Sequence, residues 1–301
     1  MAQKVAMKTN WRDFSVLKTA EDIGCYLAER TEGHEYFYHY TKLVALDKIL
    51  EGAIRISCVD RFNDKKDKEQ FGDETQQKRY FSACFTSGSN ENLSLWYLYS
   101  GANGRGVRLG LSKSKLLRSI RLGQFYLVEY DYQKNRAFGK EILLQDGVNM
   151  KLQFRDMLYS KTAKNGQYVD LKYNTMTNHH HVTVEEHQKY ISEFVGFNKS
   201  IIWYYEKETR LLIELSDELA SKLKPNKEYA IFWKLDKQTL NSMKIMLAPE
   251  ICSLDEADSH ARVREFREQT GRISLSENAG DIKMGLCAGC EYRDKKPKKK
   301  L

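Results

Sequence analysis

Glu206 and Glu208 stand two residues apart, with Arg210 two further on, inside the aromatic and β-branched run from Lys199 to Leu215. On a strand, residues at a spacing of two share a face. Such a segment would present two carboxylates and a guanidinium side by side. A second carboxylate placed that way can orient or deprotonate a reacting group. The arginine can pair with a phosphate or with the glutamates themselves. The ordinary reading of the same pattern is a solvated strand face carrying a same-strand ion pair of little worth. His39, in Tyr36-Phe-Tyr-His-Tyr-Thr41, shares its face with Thr41 and is by default a hydrogen-bonded core or rim histidine. Trp96 and Tyr99 fall at helical spacing, a pattern that more often packs a core than offers a stacking platform.

Two other groups invite a metal and do not make one. Cys287-x-x-Cys290 is half of a zinc knuckle, and its only near partners, Cys252 and His260, lack the spacing of a standard ribbon. His179-His-His181, with His187 beyond it, lies in a polar stretch and reads as solvated. No metal is expected. Gly101, Gly104 and Gly106 read as turn glycines. No Ser-His-Asp signature, Walker loop, His-Glu-x-x-His or strand-borne Gly-x-Gly-x-x-Gly is present.

The elements that must position these residues follow from alternation and punctuation. Strands are expected at 36–41, 53–57, 80–86, 107–111, 199–215, 229–233 and 243–247. Helices are expected after Thr41, which is available as N-cap with Gly52 as the stop, at 93–99 and at 255–269. The polar stretch 60–77 reads as a loop or exposed helical excursion with almost nothing to bury. Irregular alternation without a repeat points to an α+β fold with a mixed, largely antiparallel split sheet and flanking helices. The expected organisation is an N-terminal helical extension over 1–30, one α+β domain over 31–285 with a helical or polar insertion near 131–198, and a basic disordered tail over 286–301.

Composition narrows the class. The chain has 301 residues, 41% apolar and 12% aromatic, which suffices for a sizeable core, and three prolines exclude a proline-rich disordered protein. No apolar run reaches the roughly 20 residues of a membrane-spanning helix, and the N-terminus shows no secretory pattern, so a cytoplasmic protein with free thiols is expected. Of the net charge of +8, residues 291–301 contribute +4, from six basic and two acidic residues. The excess therefore marks a tail that could touch phosphates rather than a basic domain.

Tyr38-His-Tyr-Thr41, Arg55-Ile-Ser57, Phe62-Asn-Asp64, Cys84-Phe-Thr86, Leu95-Trp96 with Tyr99, Gly106-Val107 and Trp203-Tyr-Tyr-Glu-Lys-Glu-x-Arg210 together resemble a bacterial family known as domain of unknown function 2971, over roughly residues 36–250. Lys65 follows Phe-Asn-Asp where such proteins usually carry proline, which leaves the acidic position downstream, read as Glu69, open. That family is similar in turn to the ADP-ribosyltransferase superfamily, whose strands carry His or Arg, then a hydroxyl, then Glu. The resemblance implies an NAD-consuming enzyme. Glu208 would be the catalytic carboxylate beside the ribosyl cation, and Glu206 its acceptor-side partner. His39, Thr41, Thr86, Ser87, Tyr99 and Arg210 would contact NAD, held outside a Rossmann fold. It further implies a bacterial defence or toxin role, an acceptor that is protein or nucleic acid, and a neutralising protein partner, with no membrane involved. The alternative is a non-enzymatic module on the same fold that binds a partner or nucleic acid.

Overall fold

The computed structural model describes residues 20–100, 105–160, 194–258 and 261–280. Along the chain these form α1 (Ala20–Gly33), β1 (Tyr36–Lys42), α2 (Leu43–Leu50), β2 (Ala53–Cys58), α3 (Lys65–Glu69), α4 (Glu74–Gln77), β3 (Tyr80–Thr86) and α5 (Leu93–Tyr99). There follow β4 (Gly106–Ser112), α6 (Lys113–Leu122), β5 (Phe125–Asp131), β6 (Arg136–Leu144), β7 (Met150–Asp156), β8 (Leu158–Ser160) and β9 (Asn198–Ser200). The last strands are β10 (Glu208–Leu215), β11 (Tyr229–Lys234), β12 (Lys244–Leu247) and β13 (Ile273–Ser274). The protein is α+β, with a mixed, mostly antiparallel open sheet and several helices, as its pattern leads one to expect. No helix among the described residues is long and apolar enough to cross a membrane. The four cysteines among the described residues, Cys25, Cys58, Cys84 and Cys252, are free thiols.

Contacts divide the chain into two compact units: residues 1–35, 55–87 and 123–233, and residues 36–54, 88–122 and 234–301. In the first, the strands run in the order β6, β5, β11, β2, β3, β10, β7. β10 is antiparallel to both β3 and β7. Its burial is nearly unbroken, which suits a strand that is hydrogen-bonded on both edges and covered on both faces. On one face, Leu212 joins a core of Leu27, Phe71, Tyr159, Phe194 and Phe197. On the other, Thr209 donates to Asp156 Oδ1 at 2.5 Å, while Asp156 Oδ2 takes His34 Nε2 at 2.7 Å and Arg30 at 3.4 Å. Those contacts pin α1 across β7 and β10.

In the second unit, β1, β4, β12 and β13 lie in that order, antiparallel except for the parallel pair β12 and β13. The helix α2 turns Leu43, Leu46 and Ile49 inward, a stripe at helical spacing that stabilises it through burial rather than through its own propensity. Gly52, with φ of +110°, ends it where a side chain would be strained.

The structure departs from the sequence expectation at four points. Thr41 does not cap α2, because β1 continues past it in register with Val107, and the cap position falls on Lys42, which makes no capping bond. The stretch 60–77 is not free of buried groups: Asp67 and Phe71 are both 3% exposed. Residues 131–160, expected as part of a helical or polar insertion, form β6, β7 and β8; β6 pairs with β5 while its first eight residues stay exposed, so no inward alternation betrays it. Finally, 199–215 is not one strand. β9 gives way to a 3-10 helix at Ile201–Glu206, and Lys207, in the left-handed region with φ of +43°, resets the chain before β10. The expected tail at 286–301, Cys287, Cys290, His260 and the histidines at 179–181 and 187 lie outside the described residues.

Candidate functional site

The double pairing of β10 fixes Glu208 opposite Thr86 and Arg210 between Cys84 and Arg155, and alternation sends Glu208 and Arg210 to one face. There they join a chain of alternating charge. Arg210 grips Asp67 with two parallel bonds, Nη1 to Oδ1 at 2.9 Å and Nη2 to Oδ2 at 2.6 Å. Its Nε donates to Glu208 Oε1 at 2.7 Å. Lys199 Nζ donates to Glu208 Oε2 at 3.0 Å and to Glu206 Oε2 at 2.5 Å. All five residues are buried, with exposures of 1% to 7%.

Each member is placed by local structure. Asp64 caps α3 by accepting from Lys66 N, and Phe71 anchors the far end of that segment in the core, which turns Asp67 inward. Gln70 ties the same segment to the carbonyl of Asn198 at 2.7 Å, next to Lys199. Arg210 Nη1 also reaches the carbonyl of Gly196 at 2.8 Å. Gly196 has φ of +79°, and a Cβ there would come within 2.5 Å of the Phe71 ring, so only glycine lets this backbone approach. Tyr159 Oη accepts from the Glu208 amide at 2.7 Å and holds the start of β10.

Glu206 and Glu208 do converge, though not as neighbours on one strand face. Glu206 closes the 3-10 helix, and Lys199 bridges the two carboxylates across the turn. Glu69, read as the acidic position downstream of Phe62-Asn-Asp64, is exposed and faces Lys65 at 3.7 Å, whereas Asp67, two residues earlier, takes the arginine. The solvated ion pair that the spacing suggests is instead buried and fully paired.

Three carboxylates meet two cations, so one negative charge is in excess when all are ionised. Burial works against every charge here, and the neighbours decide who keeps one. Against burial, Arg210 and then Lys199 hold the Glu208 carboxyl well below its ordinary value. Glu208 and then Glu206 outweigh burial on Lys199 and hold its ammonium well above the usual range, and Asp67 and Glu208 do the same for Arg210. For Glu206 burial prevails over Lys199, and its pKa is raised. Burial likewise prevails over Arg210 at Asp67, so Glu206 and Asp67 are the two members whose pKa is raised. Glu206 stands in the chain between exposed Lys207 and half-buried Tyr205.

Thr86 and Ser87 lie beside this cluster: Thr86 is buried opposite Glu208, and the Ser87 amide donates to the Lys207 carbonyl at 3.1 Å. His39, Thr41 and Tyr99 belong to the second unit. His39 is half-buried on β1 opposite Leu109, Thr41 faces Val107, and Tyr99 ends α5. Trp96 is a core residue, fully buried and edge-on to Tyr40 at 4.7 Å. Sequence reasoning missed Asp67, Lys199 and Tyr159; the one available signal was Lys199 opening the segment that ends in Arg210. Among the described residues no cluster of His, Cys, Asp and Glu is suited to a metal.

The family described as "Protein of unknown function (DUF2971)" matches residues 95–211. The matched stretch contains Leu95-Trp96, Gly106-Val107 and Trp203 to Arg210, so the resemblance to that family is supported there; of the five charged residues, Lys199, Glu206, Glu208 and Arg210 lie inside it and Asp67 outside. No curated protein matches the chain.

Proposed function

We propose that the protein is an NAD-consuming enzyme of the ADP-ribosyltransferase kind, with Glu206 and Glu208 as its reacting carboxylates. The observation that carries this reading is the buried excess of negative charge, three carboxylates against two cations. A preformed site that lacks one positive charge complements a transition state that develops one. Breaking the bond between ribose C1′ and the nicotinamide nitrogen does so. The electron pair leaves with the ring, neutralising its pyridinium, and a ribosyl cation remains. Glu208, with both oxygens already engaged, supplies fixed negative charge behind the site. Glu206, on the turn that precedes the strand, has a raised pKa that suits it to take the proton of the attacking acceptor. Half-buried Trp203 and Tyr205, whose rings lie 6.0 Å apart, flank it as apolar surface for a flat ring. NAD as the substrate, a bacterial defence or toxin role, a protein or nucleic-acid acceptor and a neutralising partner rest on the family resemblance.

The test is release of free nicotinamide from NAD by purified protein in the presence of a bacterial lysate. The wild type should release it, and Glu206→Gln should lower the rate about 10²-fold or more while circular dichroism stays unchanged. Equal turnover in the two proteins would remove Glu206 from the mechanism. One observation favours a second reading: both Glu208 oxygens and the Asp67-facing edge of Arg210 are consumed internally, as in a network that only specifies the fold of a binding module. Absence of nicotinamide release from a folded wild type would favour it.

A further inference from the structure

The second unit contains another buried arginine, and among the described residues no ion pair matches it. Arg108 on β4 is 4% exposed. Of the five N–H donors of a guanidinium, two at Nη2 reach backbone carbonyls, those of Gly88 at 3.0 Å and of Ser89. Nη1 meets only the Met246 thioether at 4.0 Å, and Nε has no partner. No carboxylate among the described residues pairs with Arg108. The nearby loop acid Glu91 is occupied by Trp96 Nε1 at 2.9 Å, Ser276 Oγ at 2.6 Å and the Glu277 amide at 2.6 Å.

The surroundings offset only part of the cost of burying this charge. Arg108 Cζ lies 3.7 Å from the centroid of the Tyr38 ring, a close cation–π contact. Tyr38 can lie flat there because its strand partner is Gly110; a Cβ on Gly110 would come within 3.0 Å of the ring. Gly110 is paired on its other side with Lys244, whose ammonium stands 4.5 Å from the Tyr36 centroid and whose side chain is exposed. Residues 108 and 110, 244 and 246, and 36, 38 and 40 share one face by alternation. Among the described residues these strands place two cations and three tyrosines and no acid on that face; the loop acid Glu91 acts on Tyr40 from beside it.

We infer that this face of β1, β4 and β12 binds a phosphate-bearing small molecule, with Arg108 and Lys244 as its cationic contacts. Two positive charges without an acid call for a dianion, and a phosphate monoester near neutral pH is one. Unused N–H donors of Arg108 would receive its oxygens in charge-assisted hydrogen bonds, with Lys244 closing the site from solvent. The site shares no residue with the Glu206 cluster, so it stands or falls apart from the function proposed above.

The test is calorimetric titration of the full chain, at constant ionic strength, with inorganic phosphate, AMP, adenosine and acetate. Phosphate and AMP should bind, and adenosine and acetate should bind at least tenfold more weakly. Lys244→Ala, at an exposed position that leaves the fold intact, and Arg108→Gln should each weaken phosphate and AMP about tenfold, the loss of one charged hydrogen bond. Glu206→Gln should leave both affinities unchanged. Absence of phosphate and AMP binding, unchanged affinity in Lys244→Ala, or adenosine binding as tightly as AMP would overturn the proposal.

Discussion

Arg210 and Arg108 are buried to nearly the same degree, at 1% and 4% exposure, on strands that are paired on both edges. Each lies against an aromatic ring, Phe62 at 5.0 Å and Tyr38 at 3.7 Å. Their counter-ions differ completely. Arg210 is clamped by Asp67 and Glu208, whereas Arg108 has two carbonyls and a thioether. Burial of a charge is therefore not one structural situation. A matched arginine organises its neighbours, and each of those neighbours is exposed to loss if it is removed. An unmatched arginine has few dependents in the protein and an unmet demand for an anion.

That contrast predicts a large asymmetry in stability. Arg210→Met leaves Asp67 buried without a cation and Glu208 with Lys199 alone, and should destabilise by about 3–5 kcal/mol. Arg108→Met strands no carboxylate, removes hydrogen bonds to two carbonyls, and should cost about 1–2 kcal/mol. Urea midpoints of the two variants decide the matter, and equal losses would break the comparison. A second pair sharpens it on the acidic side. Asp67→Asn should cost about 2 kcal/mol or more, because it leaves Arg210 with one carboxylate. Glu69→Gln, on the exposed side of the same helix, should stay within about 0.5 kcal/mol. A loss in Glu69→Gln as large as that in Asp67→Asn would mean that α3 does not place these acids as described.

Much of the fold was readable where alternation is bounded by turn residues. β1, β3, α5, β11 and β12 lie within a residue or so of expectation for that reason. The break before β10 was not, because Trp203, Tyr204 and Tyr205 have strand propensity and only the left-handed Lys207 ends their run. β6 was hidden by exposure on both faces. At the site, the spacing of Glu206, Glu208 and Arg210 disclosed that they belong together. It could not disclose that they are buried, since that depends on Asp67 and Lys199 arriving from distant parts of the chain. Asp67 sits in Lys-Lys-Asp-Lys-Glu, where nothing local separates the inward acid from its solvated neighbours.

The smallest expected effect concerns the charge that Arg210 and Lys199 leave unmatched. Burial raises Glu206 and Asp67, so the folded protein holds protons there that the unfolded chain has already released. Stability should then fall as pH rises from the ordinary glutamate range through the raised value, because the unfolded state binds fewer protons across that window. Glu208 acts in the opposite sense. Its depressed pKa makes its contribution complete above the ordinary range and removes it as pH falls below. Urea midpoints between about pH 3 and pH 8 should therefore show a maximum in the wild type, with a shallow decline on its alkaline side. In Glu206→Gln that decline should become shallower, with the part due to Asp67 left, while the acid-side loss due to Glu208 remains. A decline of equal slope in the variant would place the excess charge on another member of the cluster, and Arg210 would then be less completely matched than its geometry implies.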